Sequence, residues 1–304
     1  MFPDANVINE IAAELGIEPA FVEKDWYSVQ VLKAIAENPN DAIQTVFAGG
    51  TSLSKGYGLI QRFSEDLDFR CRYVTLGSGN QNKKARSAYR SEIVGCIQAI
   101  DHIDLDESNV AVASNYIKFP LGYPQQYDTH ASLRPHLEIE FSFTQPHLPP
   151  RRKPIQSWIS KFTGDLPETE IWCLSPIETG ADKLSALTWR ILRRDRCAPS
   201  DDPAMIRHLH DLCALNAVIE EEKTSFIETA RSSFDEDQKT GKRVTDKALY
   251  PSLQSALQKL RDDSLYRQEY QRFVDAMSYA DDKDTISFNR AVDSLEALIA
   301  LFKI

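Results

Sequence analysis

Five cysteines in 304 residues, with no CxxC pair among them, give neither a disulfide framework nor a zinc cluster. They read as reduced, largely buried thiols. No apolar run approaches the length of a membrane span, and the opening "MFPDANVINEIAAELG" is polar and acidic rather than a secretion signal, so a cytoplasmic chain is expected. Positive charge is in the minority: 35 Lys and Arg against 45 Asp and Glu leave a formal net charge of -10. Sequence-independent affinity for nucleic acid comes from neutralising phosphates, so indiscriminate binding is not expected, although a local basic groove is compatible with the total. The absence of GxxxxGK(S/T) excludes a P-loop kinase. No internal repeat and no low-complexity tract is present.

What the chain does have is the balance of a soluble globular protein, 42% hydrophobic and 26% charged, with room for one large domain or two of ordinary size. Helical spacing interrupted by Gly16 and Pro19 predicts two helices before Asn40. "AIQTVFAGG" is a β-prone run ending in two glycines, and "TSLSKGYGLI" after it predicts a helix capped by Thr51 or Ser52. "DLDFRCRYV" alternates as a strand, "NKKARSAYRSEIVGCIQAI" as a helix, and "SNVAVASNYIKFPL" and "LRPHLEIEFSF" as two more strands. A Pro-rich loop, "TQPHLPPRRKPIQ", and a short strand near "EIWCLS" follow. From Pro176 onward the pattern is almost wholly helical. The expected fold class is α+β: a mixed-sheet core over residues 1–175, then a helical domain over 176–304.

The stretch with most chemistry is "FAGGTSLSKGYGLIQRFSEDLDF". On a strand, Asp66 and Asp68 leave the same face about 7 Å apart along the chain. Two carboxylates so placed repel, and outside bulk water they need a cation. Hard oxygen ligands suit Mg²⁺, which keeps several waters and is completed by phosphate oxygens. The plainer reading of "SEDLDF" is a solvated strand edge. Against it stands the preceding turn, Gly49-Gly50-Thr51-Ser52, whose backbone N–H groups and helix start form an anion cradle. A third acid is expected if two metals are bridged. "HLEIEFSF" offers Glu138 and Glu140 on one face of a strand, either as that acid or as ordinary exposed carboxylates.

Other patterns compete. "SLSK" with "KTG" at Lys239 to Gly241 fits a penicillin-recognising serine enzyme, but no signal peptide is evident and this KTG falls in a polar loop. "HLHD" suggests a phosphohydrolase, yet two further metal ligands are missing.

Taken in order, "VEKDWY", "FAGGTSLSKGYG", "RFSEDLDF", "LEIEFS", "ETGADKLSALTWR" and "RHLHDL" resemble the AbiEii/AbiGii toxin family with its MenT-like members, nucleotidyltransferases of the polymerase-beta superfamily. The resemblance spans Val22 to about Leu215. It implies a polymerase-beta-like nucleotidyltransferase core and transfer of a nucleoside monophosphate from an NTP, with pyrophosphate leaving. Carried over, the Gly49-Gly50-Thr51-Ser52 turn and Lys55 bind nucleotide, with the backbone and Ser52 on the β and γ phosphates. Asp66 and Asp68 bind Mg²⁺, and Glu140 joins them and helps activate the attacking hydroxyl. Lys183 and Arg190, two helical turns apart, reach the triphosphate together, and Asp211 matches a late acidic motif. The helical domain then completes the cleft for nucleotide and acceptor.

Each residue has a plainer alternative: Lys183 and Arg190 as decoration of an amphipathic helix, Lys55 as a solvated helix residue, Lys24 and Asp25 as a pair supporting the core, Asp211 with His208 and His210 as an ordinary helix face. The family further implies an RNA acceptor, notably the 3' end of tRNA, with translation blocked, and a cognate antitoxin, in a toxin-antitoxin or phage-defence setting. "NKKARSAYR", Arg151 to Lys153 and "RILRRDR" could line an acceptor groove. A small molecule or a protein side chain is the alternative acceptor. A catalytically dead scaffold is the non-enzymatic reading.

Overall fold

A computed structural model describes residues 3–75, 77–128, 130–241 and 248–303. The chain divides into two compact units, one of Met1–Gly58 with Phe63–Leu174, the other of Leu59–Arg62 with Ser175–Ile304.

The first unit opens with α1 (Ala5–Leu15), capped by Asp4 and closed by Gly16 in the left-handed region, and α2 (Pro19–Glu37), with proline at its first position. Then come β1 (Ile43–Ala48), α3 (Gly49–Lys55), β2 (Asp66–Tyr73), α4 (Gly79–Gln98), β3 (Ala111–Ala113), β4 (Tyr116–Leu121), β5 (Leu137–Ser142), β6 (Arg151–Ile155), α5 (Trp158–Thr163) and β7 (Thr169–Cys173). The strands form one seven-stranded sheet among the described residues, in the order β3-β4-β5-β2-β1-β7-β6. β2 runs parallel to β5 and β1 parallel to β7, and the other pairs are antiparallel, so the sheet is mixed.

Alternation decides which face is core. Leu67, Phe69 and Cys71 of β2 and Leu137, Ile139 and Phe141 of β5 are buried, and the residues between them are only partly so. The rings of Phe69 and Phe141 stack with centroids 4.9 Å apart, and Phe47 of β1 lies 5.5 Å from Phe69. Each such ring contributes about 1.5–3 kcal/mol by leaving water. This aromatic column fixes the register that matters for chemistry, because a slip of one residue would turn it into solvent and bury the acids.

Three local expectations are corrected. Neither Thr51 nor Ser52 caps α3, whose N-cap is Ala48 with no side-chain bond. The run from Ser108 to Leu121 is not one strand but a hairpin of β3 and β4, turning at Ser114 and Asn115. "RRKPI", expected in a loop, is the edge strand β6, where Pro154 is tolerated because an edge strand need not donate on its outer side.

The second unit is helical: α6 (Pro176–Arg193), α7 (Arg207–Ala214), α8 (Asn216–Glu221), α9 (Lys223–Lys239), α10 (Leu249–Asp262), α11 (Ser264–Met277) and α12 (Phe288–Ala300). α6 is its central helix, packed on α7, α9 and α10. The polar stretch expected as a loop around Lys239 is in fact the end of α9, and residues 242–247 lie outside the described residues. No described helix is long and apolar enough to cross a membrane.

Candidate functional site

The β1–α3 turn is built on Gly49, which takes φ 71°, a left-handed backbone that L side chains rarely adopt. A Cβ placed there would run into the Asp68 carboxylate. The reason is register: Ala48 of β1 sits opposite Asp68 of β2. The glycine turn and the second acid of the DxD pair are therefore in direct contact. Gly49→Ala is expected to cost about 1–2 kcal/mol in backbone strain and to displace Asp68 besides. A lower melting temperature together with reduced nucleotidyl transfer would show it.

Asp66 and Asp68 share one face of β2, as the alternation predicts. The parallel pairing with β5 sets Asp66 opposite Glu138 and Asp68 opposite Glu140. β4 in turn sets Lys118 opposite Glu140. Four carboxylates thus occupy neighbouring positions on two strands, and two cations answer them. Lys118 Nζ pairs with Glu138 and lies 3.2 Å from Glu140, while Arg134 pairs with Asp66 and donates to Glu138 at 3.1 Å. Burial works against the Lys118 charge, yet the two glutamates hold its pKa above the ordinary lysine value. Burial and the neighbouring Glu140 push the Tyr116 phenol upward, so it stays protonated.

Arg134, Lys118 and Glu65 are participants that motif reading did not find. Glu65 accepts from the Arg134 backbone N–H at 2.9 Å and pairs with the fully buried Lys24 at 2.6 Å. No group of three or more His, Cys, Asp or Glu among the described residues stands ready to hold a metal ion. Glu140, expected as the third metal acid, lies 3.2 Å from the Lys118 ammonium.

The other expected site residues have partners of their own. Thr51 Oγ1 donates to the backbone carbonyls of Asp66 at 2.5 Å and Ser64 at 3.1 Å, stapling α3 to the start of β2. Ser52, expected on the β and γ phosphates, is fully buried in α3, its hydroxyl beside the Cys173 thiol. Lys55 is drawn away from the acids: its ammonium pairs with the buried Asp25, donates to the Gln156 carbonyl at 3.3 Å, and sits 4.9 Å from the Trp158 ring centre. Asp25 also accepts from the Trp158 backbone N–H at 2.8 Å. Lys24 and Asp25 are thus anchors, each tied to a different partner.

In the helical unit, Asp211 is fully buried and accepts from Arg62 Nε at 2.7 Å and Nη2 at 2.6 Å, with Lys183 Nζ at 2.7 Å. Burial would raise the Asp211 pKa, but Arg62 and Lys183 outweigh it and hold the carboxyl well below the usual range. For Lys183, burial wins and lowers its pKa despite Asp211. Arg190 pairs with Asp202 at 2.9 Å. The "RILRRDR" cluster is not a free basic groove. Arg194 is held by Asp201 and Glu269, and Arg196 by Asp263 and Glu269. Arg151 and Arg152 of β6 are exposed.

Burial, Lys183, Arg207 and Arg190 together depress the His208 pKa well below 6.5. The unfolded chain takes up a proton there that the folded unit refuses. Its contribution to stability is therefore full above about pH 6.5 and is lost progressively as the pH falls below that value. Thermal melts over that interval are expected to decline, and His208→Gln to flatten the decline.

A mixed sheet with a glycine turn between its first strand and helix, and paired aspartates on the adjoining strand beside a parallel strand bearing further acids, defines a nucleotidyltransferase. The chain belongs to the AbiEii nucleotidyl transferase toxin family of type IV toxin-antitoxin systems, whose model matches residues 30–296. Seven chains of known structure match it. One is MenT4, a nucleotidyltransferase toxin from Mycobacterium tuberculosis H37Rv, with 16% sequence identity, a TM-score of 0.54, and coverage of 98% of this chain and 99% of that one. No curated protein matches the sequence. Membership implies an NTP substrate and an antitoxin partner.

Proposed function

We propose that this nucleotidyltransferase moves a nucleoside monophosphate from an NTP to an RNA acceptor, the 3' end of tRNA, and thereby blocks translation in the cytoplasm as part of a toxin-antitoxin or phage-defence system. The observation that carries the chemistry is the contact between Asp68 and Gly49, with Asp66 on the same face. Asp66 and Asp68 are hard oxygen donors, and two carboxylates with substrate phosphates and water suit Mg²⁺ without a third protein ligand. Mg²⁺ held there supplies charge stabilisation on the triphosphate. The backbone of Gly49 and Gly50 faces its phosphates.

In the proposed reaction the acceptor hydroxyl oxygen bonds to the α-phosphorus, the bond from that phosphorus to the β-phosphate bridging oxygen breaks, and pyrophosphate leaves. Glu140 receives the hydroxyl proton. Positioning and electrostatic stabilisation do most of the work in such transfers. Lys183, Arg190 and Asp211 enter this proposal through their motifs, and kinetics tests them.

The decisive experiment incubates the protein with purified tRNA and each of four labelled NTPs in Mg²⁺, with protein and small metabolites as parallel acceptors. Label on tRNA, lengthened at its 3' end, is the expected result. Label on protein or on a metabolite replaces the acceptor, and no label anywhere overturns the proposal. tRNA binding should weaken steeply between low and physiological salt, and a flat response would remove the basic-groove component.

A further inference from the structure

Arg134, between β4 and β5, has a pinned main chain and a partly exposed side chain. Its backbone N–H donates to Glu65 Oε2 at 2.9 Å, and its carbonyl accepts from Lys24 Nζ at 2.8 Å. Those two side chains form their own ion pair at 2.6 Å, with Lys24 fully buried, so the main chain is pinned on both sides. The side chain, by contrast, is 36% exposed. Its guanidinium reaches three carboxylates: Asp66, Glu138 at 3.1 Å and Glu65 at 3.9 Å.

We propose that Arg134 is a positioning residue that neutralises Asp66 in the metal-free protein and withdraws onto Glu138 and Glu65 when a divalent cation takes that carboxylate. The inference rests on Asp66 being a metal ligand, as argued above. Four carboxylates on adjoining strands repel one another, so they need countercharge. A planar fork with five donors can release one carboxylate and keep another, which a lysine cannot do as well. With its backbone clamped, Arg134 does not drift away but stays within reach of the ion it would repel. The consequence is ordered binding. The bare ion competes with an internal cation and binds weakly, whereas an ion arriving on a triphosphate brings negative charge that offsets the repulsion.

The test titrates Mn²⁺ into the metal-free full-length protein without nucleotide, following free Mn²⁺ by electron paramagnetic resonance. R134Q is expected to bind Mn²⁺ about tenfold more tightly than wild type, since one charge-assisted contact and one like-charge repulsion are gone. R134K, which keeps the charge on a shorter reach of donors, is expected to show a smaller gain, and adding D66N to R134Q to abolish it. Unchanged or weaker affinity in R134Q, or a gain that survives D66N, overturns the proposal. If R134Q does not fold, R134K decides alone, and no gain there overturns it. Labelled-NTP transfer by wild type separates this from the proposed activity. A gain in R134Q without any transfer leaves the handover standing and removes the activity, whereas transfer with unchanged Mn²⁺ affinity does the reverse.

Discussion

Asp68→Asn is expected to remove nucleotidyl transfer while leaving the melting temperature nearly unchanged. The substitution preserves volume, so the contact with the Gly49 turn survives. What it loses is the charge on which cation binding depends. A drop of roughly three orders of magnitude in rate corresponds to about 4 kcal/mol of barrier, within the range a metal-binding or oxyanion-stabilising group supplies. Single-turnover transfer at saturating NTP is the appropriate measurement. Retention of more than a tenth of wild-type rate in folded D68N would remove Asp68 from the chemistry. The same assay ranks the two candidate third acids. Glu140→Gln should slow transfer more than Glu138→Gln if Glu140 receives the proton, and the opposite order would transfer that role to Glu138.

The second large effect concerns stability. Asp211→Ala leaves Arg62 and Lys183 facing each other inside the helical unit without their shared carboxylate. Breaking a buried pair from one side costs about 3–5 kcal/mol, because the remaining charge is unsolvated. Chemical denaturation should register that loss. Lys183→Met should cost much less, since the two Arg62 bonds to Asp211 remain. The pair of substitutions therefore separates architecture from catalysis. If Lys183 serves the triphosphate, K183M will be well folded and slow, and a K183M protein with wild-type rate assigns the lysine to the fold alone. Acid should act in the same direction as D211A. The depressed carboxyl pKa means that its stabilisation is present above the ordinary aspartate value, 3.8, and is lost as the pH falls through the lower folded-state value.

Short-range geometry was readable from the chain, and pairing between distant segments was not. The common face of Asp66 and Asp68 follows from a period of two, which local sequence contains. That Lys118 and Arg134 neutralise the acids follows from β2 lying beside β5 and β5 beside β4, a register no single segment encodes. Lys55 shows the same limit. The family resemblance implied a nucleotide contact for it, whereas Asp25, on a helix thirty residues earlier, pairs with it in the structure. Thr51 has the residue type of a cap and is used as a staple, since the carbonyls of Ser64 and Asp66 come within its reach only once β2 has docked. β6 is not legible locally because Pro and, to a lesser degree, Lys are depleted in strands, and Pro is accepted there only at an edge.

That edge has a further effect. The rim formed by Arg151, Arg152, Lys153 and Pro154 would meet a second copy of itself with like charges opposed and one donor missing, while the opposite rim, Ala111–Ala113, is only three residues long. Neither border offers a template for recruiting a foreign strand, so the sheet resists growing into aggregates even when the chain is made in large amounts.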